Sequence, residues 1–301
     1  MKTDAAKWDV SVVIPTQGRL SLRAAALSAA SQLGARCEIV VVAADPGNAS
    51  TVTDLVSDLG VKVLLPDKPV SGAVARNLGV EAATCAYVSF LDDDDWWEPT
   101  KIRTQLDMAG ALRLRYPHAL VATMAHFHAT RGAVRVLPRQ AMREEESAGS
   151  YLLRRSRLTY GDGFIQTSTL LADRELIRRE PWDESLTRHQ DWDLVIRLLA
   201  RPDTGFGMVP QPLTHVRQGS AGSISRRNDW RASLSWFDEQ SGDIDGRAQA
   251  DFLFSVVLRG ALASGDFAGV AEVLRRTKGA PHAAALAVGA SGALRMARVK
   301  R

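Results

Sequence analysis

The chain has 301 residues, of which 46% are hydrophobic, 6% aromatic and 24% charged, and its net charge at pH 7 is +4. These values are typical of a soluble globular protein, with enough residues for one large domain and a smaller appendage. Cys37 and Cys85 are the only cysteines. Because there are only two and they form no CxxC pair, we expect neither a disulfide scaffold nor a cysteine-based zinc site. This cysteine content is typical of a protein in the reducing cytoplasm.

No stretch approaches the roughly 18 apolar residues of a membrane span, and the first ten residues lack the apolar core of a signal peptide. We therefore expect a cytoplasmic protein. Residues 226–301 carry 12 Lys and Arg against 8 Asp and Glu, which accounts for the net charge. The basic end, 295–301, suits either a solvated helix terminus or peripheral contact with anionic lipid at the inner face of the cell membrane. Aromatic and basic residues do not interleave as in a nucleic-acid groove, so no nucleic-acid partner is expected.

Apolar strands and amphipathic helices alternate along the first part of the chain. Strands are predicted at 10–14, 38–44, 61–66 and 87–91, and helices at 22–33, 51–60 and 72–83. Short connections between them are typical of parallel βαβ units, so we predict an α/β fold with a mostly parallel, Rossmann-like sheet flanked by helices. In such sheets ligands bind beyond the carboxyl ends of the strands.

Beyond residue 118 the pattern loosens. We predict a strand pair at 119–128 and 133–138, a strand and then a helix over 163–179, a helix over 191–200, and two helices over 261–276 with Asp266 as N-cap. These elements predict a catalytic domain over 1–225 and a C-terminal helical region over 226–301, which we expect to pack on that domain.

Four adjacent aspartates, Asp92–Asp95, follow the predicted strand 87–91 in the segment "YVSFLDDDDWWEP". Adjacent carboxylates repel one another, and a cation would neutralise them; oxygen ligands suit hard ions such as Mg²⁺ or Mn²⁺. In an extended backbone alternate side chains share a face, which predicts Asp92 and Asp94 in one site and Asp93 and Asp95 pointing elsewhere. The alternative is a solvated acidic loop that caps a helix beginning at Pro99.

Four segments occur in the order and spacing typical of family two glycosyltransferases of GT-A fold: "VSVVIPTQGR", "GAVARNLG", "FLDDDDWWEP" and "QDWDLVIRL". Over roughly residues 10–225 the chain resembles a member of that family. The resemblance implies a GT-A fold, a UDP-, dTDP- or GDP-sugar donor, an Mn²⁺ or Mg²⁺ cofactor and inversion at the anomeric carbon. The implied acceptor is a glycan, a lipid-linked sugar or a small molecule.

The resemblance also implies a role for each matching residue. The donor-binding residues would be Pro15, Thr16, Arg19, Asp45, Arg76, Asp92 and Asp93. Asp94 would be the direct metal ligand, and Asp191 would be the general base that takes the proton of the acceptor hydroxyl. One carboxylate on the acceptor side suffices for a single displacement, because a metal-bound diphosphate leaves without the acid that glycoside hydrolases need.

Further candidates are weaker. Asp193 lies about 200° round a helix from Asp191 and cannot face the same site. Of Trp96 and Trp97 we expect one to stack on a sugar, with Trp97 the candidate, and the other to pack. The segment 213–225 has the Gly and Ser content of a mobile loop. The resemblance implies that it closes over the donor, where His215 or Arg217 would contact the metal or diphosphate.

His126 and His128 alternate on a predicted strand, which is typical of a solvated face. Two other functions compete with sugar transfer. A nucleotidyltransferase or phosphatase would also use an aspartate cluster, but the chain has neither a Gly-rich basic loop nor a DxDx[TV] segment after its first strand. A catalytically silent sugar-nucleotide-binding module would keep the fold without needing a carboxylate at Asp191.

Overall fold

The structure, a computed structural model, describes residues 9–130, 132–143, 146–159, 162–219, 229–240 and 244–299, with the side chains of 295–299 left out. The chain divides into two compact units, each described by itself. The first comprises Met1–Val136, Ile165–Glu184 and Arg201–Ser220, and the second Leu137–Phe164, Ser185–Ala200 and Ala221–Arg301.

A mixed sheet with the strand order β3-β2-β1-β4-β8-β6-β9-β5 forms the first unit, and β7 pairs with β6. The strands are β1 (Val10–Thr16), β2 (Cys37–Ala43), β3 (Lys62–Leu64), β4 (Tyr87–Phe90), β5 (Trp96–Trp97), β6 (His118–His128), β7 (Val134–Leu137), β8 (Leu171–Asp173) and β9 (Thr204–Arg217). Strands β1 to β4 are parallel to one another, and β6 is parallel to β9. Strand β8 runs antiparallel to β4 and β6, and β5 antiparallel to β9. The predicted α/β fold is confirmed, with a sheet that is parallel over β1 to β4 and mixed beyond them.

Strands β1 and β2 form because their β-branched residues are buried on both faces of the sheet. Val12, Val13 and Ile14 on β1 and Val41 on β2 are all fully buried. Strand β1 continues through Pro15, which pairs with Val42, and ends at Thr16, two residues beyond its predicted end. Thr16 therefore closes the strand and presents its hydroxyl at the carboxyl edge of the sheet.

Helices cover the first unit between these strands: α1 (Leu22–Ala30), α2 (Ala49–Val56), α3 (Gly72–Ala82), α4 (Lys101–Leu112) and α6 (Arg174–Arg179). Helix α3 begins at Ser71, whose side chain accepts a hydrogen bond from the backbone N–H of Val74. It approaches β1 so closely that a Cβ atom on Gly79 would lie 2.3 Å from a methyl carbon of Val13. Glycine at this position therefore lets α3 pack on the sheet and brings Arg76 to its edge.

Helices form the second unit: α5 (Ala148–Leu153), α7 (Gln190–Leu199), α8 (Trp230–Glu239), α9 (Gly246–Phe252), α10 (Arg259–Ser264), α11 (Phe267–Arg276) and α12 (Ala283–Val299). A π-helical segment, Leu253–Leu258, joins α9 to α10. As predicted, Asp266 caps α11 by accepting from the N–H of Ala268. The C-terminal residues are therefore helical, as expected.

Three further expectations concern the segment 163–179, the domain boundary and membrane spans. The segment 163–179 contains a 3₁₀ turn at Thr167–Thr169 before its short strand and helix, because the Gln166 and Thr169 side chains cap that turn reciprocally. The predicted boundary at 225 and 226 falls outside the described residues, as do the side chains of 295–301. Among the helices that the structure describes, none is long and apolar enough to cross a membrane.

Candidate active site

The four aspartates form a tight turn between β4 and β5. The backbone N–H of Asp95 donates to the carbonyl oxygen of Asp92 over 3.1 Å, which closes the turn. The expectation that Asp92 and Asp94 share a face is wrong, because it assumed an extended backbone. The turn pairs the side chains differently: Asp93 and Asp94 share Arg19, and Asp92 and Asp95 share Gln166.

Asp93 is the aspartate that ties the turn to the end of β1. Its Oδ2 accepts from the hydroxyl of Thr16 at 2.6 Å and from the backbone N–H of Gln17 at 3.3 Å, and its Oδ1 lies 2.7 Å from Nη1 of Arg19. The residue is only 3% exposed. Burial raises the pKa of Asp93, while Thr16 and Arg19 oppose that rise.

Asp94 is held less tightly. The contact described for its carboxylate is with Nη1 of Arg19 at 3.4 Å, and 14% of its side chain is exposed. Within the described part of the chain it has the fewest hydrogen-bond partners of the four aspartates. Its oxygens therefore have the most unused capacity to accept from a new ligand.

Asp92 connects the turn to α3. Its Oδ1 accepts from Nη2 of Arg76 at 2.7 Å, and its Oδ2 accepts from the Gln166 amide at 3.0 Å. The guanidinium of Arg76 lies over the ring of Trp182, 4.8 Å from the centroid. Two predicted donor-binding residues, Arg76 and Asp92, are thus an ion pair at the sheet edge.

Asp95 is buried behind the turn. It accepts from the Ser168 hydroxyl at 2.7 Å, from the Gln166 amide at 3.3 Å and from the backbone N–H of Arg217 at 2.9 Å. Burial and the neighbouring Asp92 and Asp94 raise its pKa well above the usual range.

Sequence reasoning missed Gln166 and Ser168. The polar run "QTST" between apolar residues was the available signal, because such a run inside a buried segment needs hydrogen-bond partners. In the structure both residues bond the aspartate turn.

Pro15 lies within β1, paired with Val42, and Asp45 lies on the loop after β2. Asp45 follows β2 and caps the 3₁₀ turn Pro46–Asn48 by accepting from the N–H of Gly47 at 2.9 Å. The Asn48 amide donates to the carbonyl oxygen of Gln17 at 2.9 Å. The loops after β1 and β2 are therefore joined, which places Asp45 on the loop beside the one that carries Arg19.

The two tryptophans after the turn have different environments. Trp97 is 4% exposed, and its Nε1–H donates to the carbonyl oxygen of Ser168 at 2.8 Å. The fully buried amine of Lys101 lies 3.9 Å from its ring centroid. The candidacy of Trp97 for sugar stacking is therefore wrong, because its ring offers no open face. Trp96 is the half-buried ring of the pair.

His215 and Arg217 lie at the end of β9. His215 stacks on Trp96 with a centroid distance of 4.7 Å, and its Nε2 lies 2.7 Å from the Glu98 carboxylate. Arg217 lies over the Trp96 ring at 5.3 Å. The prediction of a loop is therefore wrong for 213–217, which pair as strand, and 220–225 lie outside the described residues.

His126 and His128 do not form a simple solvated face. Both are half-buried, His126 stacks on His215, and His128 Nε2 lies 3.0 Å from His215 Nδ1. Burial and the neighbouring His215 lower the pKa of both imidazoles.

The second unit carries Asp191 and Asp193 in the first turn of α7. Asp191 is half-buried, and its Oδ1 accepts from the N–H of Trp192 at 3.0 Å. Asp193 is 5% exposed and accepts from Arg197 at 2.8 Å and from Trp236 and Gln240 at 3.3 Å each. Asp193 is therefore committed to packing within this unit.

Asp94 is the residue of the aspartate turn that could ligate a hard divalent cation. Carboxylate oxygens are the ligands that Mg²⁺ and Mn²⁺ prefer. Thr16, Arg19, Arg76 and Gln166 hold Asp92 and Asp93 in place, which leaves Asp94 to supply a ligand atom. Burial raises the pKa of Asp93 and Asp95, the neighbouring carboxylates add to that rise, and a bound cation would favour the charged forms.

Comparison with known proteins identifies the family. The model of glycosyl transferase family 2 matches residues 11–179. The chain belongs to this family. It is 30% identical over 209 residues, 67% of each chain, to the amylovoran biosynthesis glycosyltransferase AmsB of Erwinia amylovora. The chain is therefore a glycosyltransferase.

Solved structures show the same fold. The structure of S. aureus TarS residues 1–349 with UDP-GlcNAc superposes with a TM-score of 0.62 at 14% identity, covering 96% of this chain and 88% of that chain. The same TarS fragment with UDP gives a TM-score of 0.52 at 14% identity over the same shares. These likenesses confirm the predicted GT-A fold for this family 2 glycosyltransferase.

Proposed function

We propose that this glycosyltransferase moves a sugar from a nucleoside-diphosphate donor to an acceptor hydroxyl by a single, inverting displacement assisted by a divalent cation. The observation that carries the proposal is the aspartate turn after β4, in which Asp94 is the least engaged carboxylate. In the reaction a bond forms between the acceptor oxygen and the anomeric carbon as the bond from that carbon to the diphosphate breaks. The nucleoside diphosphate leaves, and the hydroxyl proton passes to a carboxylate.

The cation site is assigned to Asp94, whose described contact is the 3.4 Å approach of Arg19. A bound Mn²⁺ or Mg²⁺ would offset the charge that develops on the departing diphosphate. The residues of this chain keep the turn rigid: Arg76 holds Asp92, and Thr16 holds Asp93. Preorganisation of this kind is what makes an electrostatic site effective, because no reorganisation is needed during the reaction.

The donor is assigned to the carboxyl edge of the sheet, where α/β folds bind ligands. Arg19 and Arg76 are the cations there, and each is paired with an aspartate of the turn. We propose that they face the pyrophosphate, with Pro15, Thr16 and Asp45 on the nucleoside side and Asp93 positioning Arg19. The TarS structures with UDP-GlcNAc and UDP support a uridine nucleotide as the first donor to test.

The general base is assigned to Asp191. Two observations support it over Asp193. Asp193 already accepts bonds from Arg197, Trp236 and Gln240, so it is a poor proton acceptor for a substrate. Asp191, in the family motif "QDWDLVIRL", is only half-buried. A base there would take the acceptor proton as the new bond forms.

The test is a donor screen on the full chain. UDP-, dTDP- and GDP-sugars are each incubated with Mn²⁺, Mg²⁺ or a chelator, and release of the nucleoside diphosphate is measured with and without sugar acceptors. We expect release with one nucleotide class, dependent on the cation, and a product of inverted anomeric configuration by NMR. A retained configuration, or full turnover in the chelator, would overturn the proposed mechanism.

A further inference from the structure

A cluster of imidazoles and one carboxylate lies on the first unit, outside the aspartate turn. We call Glu98, His126, His128 and His215 the histidine cluster. Glu98 follows β5, His126 and His128 lie on β6, and His215 lies on β9. The strand pairing sets this juxtaposition, because His215 is opposite both Trp96 on β5 and His126 on β6.

We propose that Glu98, His126 and His215 form a binding site for a divalent transition-metal ion of the zinc class, separate from the aspartate turn. Each residue offers one ligand atom, and these atoms lie within 4.8 Å of one another. Two imidazole nitrogens and a carboxylate oxygen are a donor set that suits Zn²⁺ and Co²⁺, whereas Mg²⁺ prefers oxygen ligands alone. The proposal does not depend on the proposed function.

The ligand atoms are near enough for a tetrahedral site after a small adjustment of the side chains. Bonds of about 2.0–2.1 Å to a tetrahedral ion place the ligand atoms roughly 3.3 Å apart. Glu98 Oε1 and His215 Nε2 lie 2.7 Å apart, so an ion would replace the hydrogen bond between them. His126 reaches the ion when its ring rotates about χ2, a torsion with broad energy minima in histidine. The fourth position is left to water.

Two neighbours hold His215 for this role. Its ring stacks on Trp96 with a centroid distance of 4.7 Å, which limits its rotation. His128 Nε2 lies 3.0 Å from His215 Nδ1 and can accept a hydrogen bond from the Nδ1–H group. Nε2 of His215 then carries no proton and can bind the metal. Such an outer hydrogen bond is a usual support for a metal-binding histidine.

The site would join three strands. An ion bound by Glu98, His126 and His215 would link β5, β6 and β9 near the end of β9. Two residues further, the Arg217 N–H bonds Asp95 of the aspartate turn. Metal binding should therefore stabilise the unit that holds the turn, because a ligand that binds the folded state alone raises stability.

The experiment uses Co²⁺ as a spectroscopic probe and Zn²⁺ as competitor on the full chain. We expect visible d–d bands of four-coordinate Co²⁺ that Zn²⁺ removes and millimolar Mg²⁺ does not. His126→Gln and Glu98→Gln should each weaken Co²⁺ binding by about 100-fold or more, and His128→Gln by about 10–100-fold as an outer-shell partner. Glu175→Gln and His282→Gln, which lie outside the cluster, should bind Co²⁺ as the parent does.

Circular dichroism checks that each variant is folded. Because 41% of the Glu98 side chain is exposed, Glu98→Gln should fold even if a histidine variant does not, and it then tests the site by itself. Asp94→Asn should leave the Co²⁺ bands unchanged. The proposal is overturned if the parent shows only six-coordinate Co²⁺, or if Asp94→Asn removes the bands while His126→Gln and Glu98→Gln keep them.

Discussion

Thr16 Oγ1 donates a 2.6 Å hydrogen bond to Asp93 Oδ2, and this bond joins the end of β1 to the turn after β4. Both residues are 3% exposed. Strands β1 and β4 are neighbours in the sheet, so one polar contact fixes the loop that carries Arg19 against the aspartates. The family's first and third sequence motifs are thus parts of one structure.

Replacing Thr16 with valine keeps the shape of the side chain and removes this donor. Asp93 then loses one partner while staying buried, which costs about 1–3 kcal/mol of unfolding free energy. Urea unfolding monitored by tryptophan fluorescence measures the loss. The matched control is Thr104→Val, whose hydroxyl bonds a backbone carbonyl on an exposed helix face; it should change stability by about 0.5 kcal/mol or less. Equal effects of the two variants would contradict the role given to Thr16.

Asp94→Asn should abolish Mn²⁺-dependent nucleotide binding and leave the fold intact. The fold should be unaffected because the described contact of this carboxylate is only a 3.4 Å approach to Arg19. Calorimetric titration with UDP, with and without Mn²⁺, gives the affinity of parent and variant.

Asp95→Asn is the contrasting variant, because its carboxylate accepts three hydrogen bonds. It should lower the thermal midpoint by more than Asp94→Asn does. If Asp94→Asn binds UDP in the presence of Mn²⁺ as tightly as the parent does, Asp94 is not a metal ligand.

The elements of the sheet were predictable because their signal is local. A strand buried on both faces, such as β1 or β2, is a continuous apolar run, and the helices between the strands carry their own apolar periodicity. The aspartate cluster was found for the same reason: four adjacent carboxylates are visible in sequence.

The partners of those carboxylates were not predictable. Gln166 and Ser168 lie more than 70 residues from Asp92 and Asp95 along the chain, and only the pairing of β8 with β4 brings their segment to the turn. The alternation argument failed because a turn, closed by Asp95 and Asp92, replaced the extended backbone. The histidine cluster was likewise hidden, since His126 and His215 meet only through the pairing of β6 with β9.

His189 should make the stability of the protein fall in acid. Burial, with a contribution from Arg188, lowers the pKa of His189 from 6.5 to about 3. Between those values the unfolded chain binds a proton that the folded chain does not, so stability is complete above pH 6.5 and is lost as pH falls towards 3. From pH 7.5 to 4.5 we expect the free energy of unfolding to fall by about 1–2 kcal/mol. This is less than the full 1.4 kcal/mol per pKa unit because the side chain is partly exposed.

The matched variant is His189→Gln, which does not titrate and keeps a polar group for the Ser233 hydroxyl, 2.9 Å from His189 Nε2. Urea unfolding of parent and variant at the two pH values isolates the imidazole. The parent should lose about 1–2 kcal/mol more than the variant does over this range. The same loss in both proteins would mean that His189 is protonated without cost in the folded state.

Asp191 and Asp193 should separate catalysis from stability. Asp191→Asn removes the proposed base and should lower turnover by about 10²–10⁴-fold, the usual contribution of general base catalysis. Donor affinity should stay unchanged, because the base acts on the acceptor hydroxyl and makes no bond to the diphosphate. Asp193→Asn instead replaces the buried acceptor of Arg197, Trp236 and Gln240, so it should cost about 1–3 kcal/mol of stability and keep most of the turnover of the folded fraction. Initial rates, calorimetric donor affinity and urea unfolding on the same three proteins decide between the two roles. If Asp193→Asn abolishes turnover in the folded protein while Asp191→Asn stays active, the base is Asp193, and the side of α7 that meets the acceptor is the opposite of the one proposed.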